Sequence, residues 1–92
     1  MAKYLMLGKY SREAIKGMSA ERTQRAVEAI SKSKGKVDSM HVLLGGYDLA
    51  LMVELPGNTE AIKASIALAK LTDIAFTTFP AITVEEFDKI TG

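Results

Sequence analysis

Four short apolar segments, a glycine-rich turn between the middle two, and capped helical segments in the other gaps predict a single α+β domain. The resulting order, β-α-β-β-α-β-α, is most simply satisfied by a ferredoxin-like βαββαβ sandwich with an added C-terminal helix. Crossovers between parallel strands are right-handed and the middle hairpin is antiparallel, which places both main helices on one face of a four-stranded sheet. Ninety-two residues suffice for one core and not for two, so residues 1–92 are read as one domain.

The first strand is read over residues 3–10, Lys-Tyr-Leu-Met-Leu-Gly-Lys-Tyr, with Leu5 and Leu7 on one face and Tyr4, Met6 and Gly8 on the other. Ser11 caps a short helical turn containing Ala14 and Ile15. Ser19 caps the main helix, roughly 20–34, where Thr23, Ala26, Val27 and Ile30 make one apolar stripe. Gly35 is expected to end that helix. Residues 37–44 and 49–55 form the next two strands around Gly45-Gly46-Tyr47-Asp48, in which glycines and an aspartate supply turn chemistry. Pro56-Gly57 stops the third strand, and Asn58 or Thr59 caps a helix reaching about Leu71. Residues 74–79 form a fourth strand ending at Pro80. Thr83-Val84-Glu85-Glu86 matches a capping box, and Ile82 with Phe87 occupies the staple positions of a last short helix.

Composition excludes several classes. A hydrophobic fraction of 48% with 25% charged residues is that of a folded domain. The absence of cysteine removes disulfides, thiolate metal sites and a Cys nucleophile. A formal net charge of +1 argues against nucleic acid. The one basic concentration, Lys32, Lys34 and Lys36 around Gly35, fits the C-terminal turn of a helix better than a phosphate patch. No apolar run reaches the length of a membrane span, and Met1-Ala2-Lys3-Tyr4 runs directly into a strand rather than a cleavable leader. The cytoplasm is the expected compartment.

Helices on one side leave the other sheet face bare. Giving the leucine-rich side of each strand to the helices places Tyr4, Met6, His41, Leu43, Met52, Glu54, Thr77 and Phe79 on the open face, an assignment that a one-residue slip reverses. Four strands make a face of roughly 350 Å², large for a surface a monomer leaves exposed. The second main helix carries apolar rows at Ile62, Ile66, Ala69 and at Ala64, Ala67, Leu68, Leu71, more than its own sheet can cover, so that either the C-terminal helix or a neighbouring subunit supplies the rest. A homo-oligomer is expected, a homodimer or higher.

Gly46-Tyr47-Asp48, followed by an alternating strand with Glu54 before Pro56, resembles the signature of the GYD domain family. Phe76-Thr77-Thr78-Phe79-Pro80-Ala81 running into Thr83-Val84-Glu85-Glu86-Phe87 is similar to that family's C-terminal half, as is the opening Tyr4-Leu5-Met6-Leu7-Gly8. The resemblance implies a dimeric α+β-barrel relative with two sheets face to face, and it brings no established activity. The Gly-Tyr-Asp hairpin is also similar to the effector-binding domain of Lrp/AsnC regulators, which oligomerises and binds amino acids near subunit interfaces; the present chain has no helix-turn-helix segment.

Two functions follow as expectations. The first is a non-catalytic module holding a small organic or amino-acid-like ligand at a subunit interface. Gly46, Tyr47 and Asp48, with Tyr4, are its candidate ligand-binding residues: Asp48 pairs with a ligand amine, the Tyr47 phenol donates a hydrogen bond, and the glycines let a ligand approach the backbone. The competing explanation of Tyr47 and Asp48 is a hairpin loop whose carboxylate accepts backbone N–H groups. The second is a cofactor-independent isomerase or monooxygenase of the dimeric α+β-barrel type, with His41 and Glu54 as weak catalytic candidates for proton transfer. A purely structural or adaptor role is the third. One histidine and scattered carboxylates show no metal-ligand spacing, and no phosphate loop or nucleophile elbow is present, so neither metal nor cofactor is expected.

Overall fold

The computed structural model describes all 92 residues. The chain runs β1 (Ala2–Tyr10), α1 (Arg12–Lys16), α2 (Ala20–Lys32), β2 (Lys36–Val42), β3 (Leu49–Leu55), α3 (Asn58–Thr72), β4 (Ile74–Ala81) and α4 (Val84–Thr91). Three helices begin at the hydroxyl caps the sequence offers. Ser11 accepts from the Ala14 N–H at 3.0 Å, Ser19 from Arg22 at 3.0 Å and Thr83 from Glu86 at 3.1 Å.

The sheet order is β2-β3-β1-β4, with every neighbouring pair antiparallel. This is the α+β, ferredoxin-like arrangement with a helix added at the end. Residues opposite one another in such ladders share a face, so the pairings define rows across the sheet. On the helix side the rows are Val37–Val53–Tyr4–Pro80, Met40–Leu51–Met6–Thr78 and Val42–Leu49–Gly8–Phe76. Ala26 and Ile30 of α2 and Ala61, Ala64 and Leu68 of α3 pack on them to make the core.

This registry corrects one expectation. Tyr4 and Met6 are not on the open face. They are 3% and 0% exposed beneath the helices, while Leu5 and Leu7 are the half-buried pair on the far side. The pattern of β1 is apolar at both parities, so its own sequence does not choose a face. Its partner chooses, because Tyr4 and Met6 lie opposite Val53 and Leu51, which alternate with Met52 and Glu54. Leu43 lies beyond the end of β2, in the turn. His41, Met52, Glu54, Thr77 and Phe79 are on the open side as expected.

Three local details also differ from expectation. Helix α2 ends through Lys34, which takes the left-handed conformation at φ 65°, and not through Gly35. Helix α3 has Gly57 at its N-cap and no side-chain cap. The Asn58 Oδ1 instead accepts the Tyr4 hydroxyl at 2.7 Å, satisfying the polar end of a ring that β1 sends into the core. Strand β4 continues through Pro80, which an edge strand tolerates because its outer N–H groups have no partner.

No residue of helix α4 is buried. Its apolar face, Val84, Phe87 and Ile90, is exposed, and so are Ile62 and Ile66 of α3. The C-terminal helix therefore does not supply the cover that α3 lacks.

Candidate functional site

The open face carries three rows. The first, Lys36–Glu54–Lys3–Ala81, is charged; the second, Ser39–Met52–Leu5–Phe79, is largely apolar; the third is His41–Ala50–Leu7–Thr77. A bulge between Val37 and Ser39 turns Asp38 toward the first row. Lys3 Nζ lies 3.2 Å from Asp38 Oδ2 and 3.5 Å from Glu54 Oε2, and Lys36 Nζ lies 3.4 Å from Glu54 Oε2 and 3.9 Å from Asp38 Oδ1. The quartet is neutral and self-satisfied.

Partial desolvation pushes the Asp38 carboxyl up, but hydrogen bonding from Lys3 and the charges of Lys3 and Lys36 outweigh it and hold it below its ordinary 3.8. The hydrogen bond to Asp38, opposed by desolvation, raises Lys3 above its ordinary 10.5. A depressed acid stabilises the fold above its unfolded pKa and loses that contribution as pH falls through the folded one; a raised base does so below its unfolded pKa and loses it as pH rises. The quartet's contribution is thus flat through neutrality and lost in acid below about pH 4 and in strong base. Asp38→Asn is expected to flatten the acid limb of a melting-temperature profile and to leave its slope between pH 6 and 8 unchanged.

The candidate proton-transfer pair is not brought together in the chain. His41 is exposed opposite Ala50, whereas Glu54 lies four residues further along β3. At about 3.4 Å per residue they are roughly 14 Å apart, and Glu54 is engaged by two lysines.

At the hairpin, Asp48 is a clamp. Its Oδ2 accepts the Tyr10 N–H at 2.9 Å, its N–H donates to the Gly8 carbonyl at 2.8 Å, and its carbonyl accepts Leu43 N–H at 2.8 Å. The carboxylate extends the β1–β3 ladder past the point where β3 can offer a carbonyl. Tyr47 is half-buried beside it. Gly46 is exposed with nothing within 4 Å of an added Cβ, while Gly45 is the residue with positive φ, 142°. Deleting the clamp with Asp48→Ala is expected to cost about 1–2 kcal/mol in urea unfolding. Asp48→Asn, which keeps an acceptor oxygen, should recover most of it.

A cleft lies on the other side of the sheet. It has a volume of about 180 Å³ and opens between the end of the sheet and α2. Leu49, Leu51, Ile74 and Phe76 form its floor, and Ala26 and Leu68 stand over them. Ala26, a small residue over the sheet, leaves space above the floor, while the room that Gly8 leaves is taken by Ile74 and Phe76, which a Cβ there would meet at 2.8 and 3.0 Å. The polar groups on the helix side of the cleft's lining are those of Tyr10, Arg22, Thr23 and Thr72; His41 borders it from the edge strand β2, in a row that belongs to the opposite face. Thr72 is occupied, donating to Leu68 O at 2.7 Å and accepting Ile74 N–H at 3.2 Å. Arg22 is anchored by donation from Nη1 to the Ala14 carbonyl.

The cleft draws on residues that the sequence reading passed over. Arg22 precedes Ala26 and Ile30 by four and eight positions, so it stands in line with the buried stripe. A cation on the core face of a helix was the available signal. No group of three or more His, Asp or Glu side chains is placed to hold a metal ion, and no helix is long and apolar enough to cross a membrane.

A model of the GYD domain matches residues 4–91, nearly the whole chain. The chain belongs to the GYD domain family. None of the curated proteins matches it. The GYD tripeptide itself, Gly46-Tyr47-Asp48, is thus the turn whose aspartate clamps β1 to the hairpin.

Proposed function

We propose that this GYD-domain chain is a non-catalytic small-ligand-binding module working as a homo-oligomer, with its ligand in the cleft between sheet and α2. The observation that carries the reading is the hollow of about 180 Å³ over Leu49, Leu51, Ile74 and Phe76. A concave, mostly apolar site with a few polar groups at its edge is the usual setting for a small ligand. Two neighbours of the cleft support a place near a subunit boundary. Val42, which lines it, is 76% exposed, and Leu44 in the adjoining turn is fully exposed. A second subunit covering the hairpin would shield both and close the cleft.

The alternative, a cofactor-independent isomerase or monooxygenase, has less support, because His41 and Glu54 stand in different rows and Glu54 is tied to Lys3 and Lys36. A thermal-shift screen of a metabolite library tests the binding reading when it is repeated on Ala26→Leu. Filling the hollow is expected to raise the melting temperature of the free protein and to abolish the hits. Hits that persist unchanged in Ala26→Leu would move the site elsewhere.

A further inference from the structure

The cleft has a charge character that its apolar lining does not require. Arg22 is its one Lys or Arg, no Asp or Glu lines it, and Arg22 takes part in no ion pair. Every ion pair of the chain lies in the quartet on the opposite face of the sheet. The guanidinium is nevertheless half-buried and held in place on the Ala14 carbonyl. A fixed, unpaired guanidinium beside an apolar hollow is complementary to an anion joined to an apolar body, and a planar guanidinium matches the two oxygens of a carboxylate.

Size narrows the body. A cavity of about 150 Å³ lined by Leu, Ile and Phe holds one benzene, so 180 Å³ takes one ring or a short branched chain and little more. A phosphate monoester would bring a second negative charge with no second Lys or Arg to meet it. We propose that the GYD-domain cleft binds a small aromatic or branched aliphatic monocarboxylate, its carboxylate on Arg22 and its apolar body over Leu49, Leu51 and Phe76. Thr23 Oγ1 donates to the Ser19 carbonyl at 3.3 Å, which leaves the Tyr10 hydroxyl on the helix side of the lining to select among substituents on that body. The inference rests on the reading of the cleft as a ligand site and adds the ligand's chemical class.

The test uses two probes with one body and different heads, phenylacetate and 2-phenylethanol, titrated calorimetrically into the full chain. Phenylacetate is expected to bind about ten to a hundred times more tightly. Arg22→Gln should bring it down to the alcohol's affinity while leaving the alcohol unchanged, and Ala26→Leu should abolish both. Arg22→Lys, which keeps the charge and loses the fork, should fall between, and it carries the comparison if the glutamine variant fails to fold. Equal affinity of the two probes for the unaltered protein would overturn the carboxylate assignment and leave the cleft as a site for neutral apolar ligands. Binding of neither probe, or phenylacetate binding that survives Ala26→Leu, would overturn both the ligand class and the cleft reading.

Discussion

Replacing Gly35 with alanine is expected to lower stability by about 3 kcal/mol, which for a domain of this size is a fall in melting temperature of roughly 15 °C. A Cβ on Gly35 would lie 2.4 Å from the Glu54 carbonyl oxygen, 2.5 Å from Leu55 Cδ2 and 3.0 Å from Leu55 Cγ. None of these atoms has room to move. Leu55 is fully buried in the core, and the Glu54 backbone sits in a ladder paired on one side with Lys36 and on the other with Lys3. The first residue of β2 would have to lift away from β3, taking the charged quartet with it. The neighbouring position makes the control. Lys34 holds φ 65°, a conformation that costs a side-chain-bearing residue about 1–2 kcal/mol, so Lys34→Gly is expected to be neutral or stabilising. Differential scanning calorimetry of the two variants checks both. A tolerated Gly35→Ala would mean that β2 does not approach Glu54 and Leu55 this closely, and a destabilising Lys34→Gly would mean that the lysine side chain, and not the left-handed backbone, matters at the helix end.

That pair of residues illustrates what the sequence made legible. The position of the helix end was readable from Gly35, but its reason was not, since the close approach to Glu54 and Leu55 arises from a strand some twenty residues away. Caps are local, and Ser11, Ser19 and Thr83 do what their spacing predicts. Asn58 fails as a cap because the Tyr4 hydroxyl, buried by tertiary packing, competes for its oxygen. The face of β1 was illegible for a different reason. Tyr4, Leu5, Met6 and Leu7 are all apolar, so only pairing with β3 decides which pair is buried. The quartet of Lys3, Lys36, Asp38 and Glu54 and the separation of His41 from Glu54 both depend on register, and a bulge at Asp38 shifts that register. The lining of the cleft was partly readable, since Arg22 falls in the row of Ala26 and Ile30. What conceals it is the convention that a cation in the first turns of a helix belongs to solvent.

At low micromolar concentration the unaltered protein is expected to sediment as at least a dimer, and Leu5→Lys to sediment as a single folded chain. The second open-face row, Ser39–Met52–Leu5–Phe79, is the apolar centre of that face, with Leu7 beside Leu5 and no element of the chain above them. The exposed Val84, Phe87 and Ile90 of α4 extend the unpartnered surface beyond the sheet. In a two-fold interface each side chain occurs twice. Leu5→Lys therefore removes two buried leucines, about 3–6 kcal/mol together, and sets two like charges in the same contact. The dissociation constant should rise by about a hundredfold to ten-thousandfold. Met6→Lys, one residue away, is expected to behave oppositely. Met6 is wholly buried between the sheet and the helices, so an ammonium there costs the subunit its fold instead of its partner. Circular dichroism separates the outcomes, native for Leu5→Lys and lost for Met6→Lys. A soluble, folded Met6→Lys monomer would reverse the face assignment. An unaltered chain that sediments as one subunit would leave the apolar row without an occupant and the hairpin edge of the cleft without a second copy to cover it.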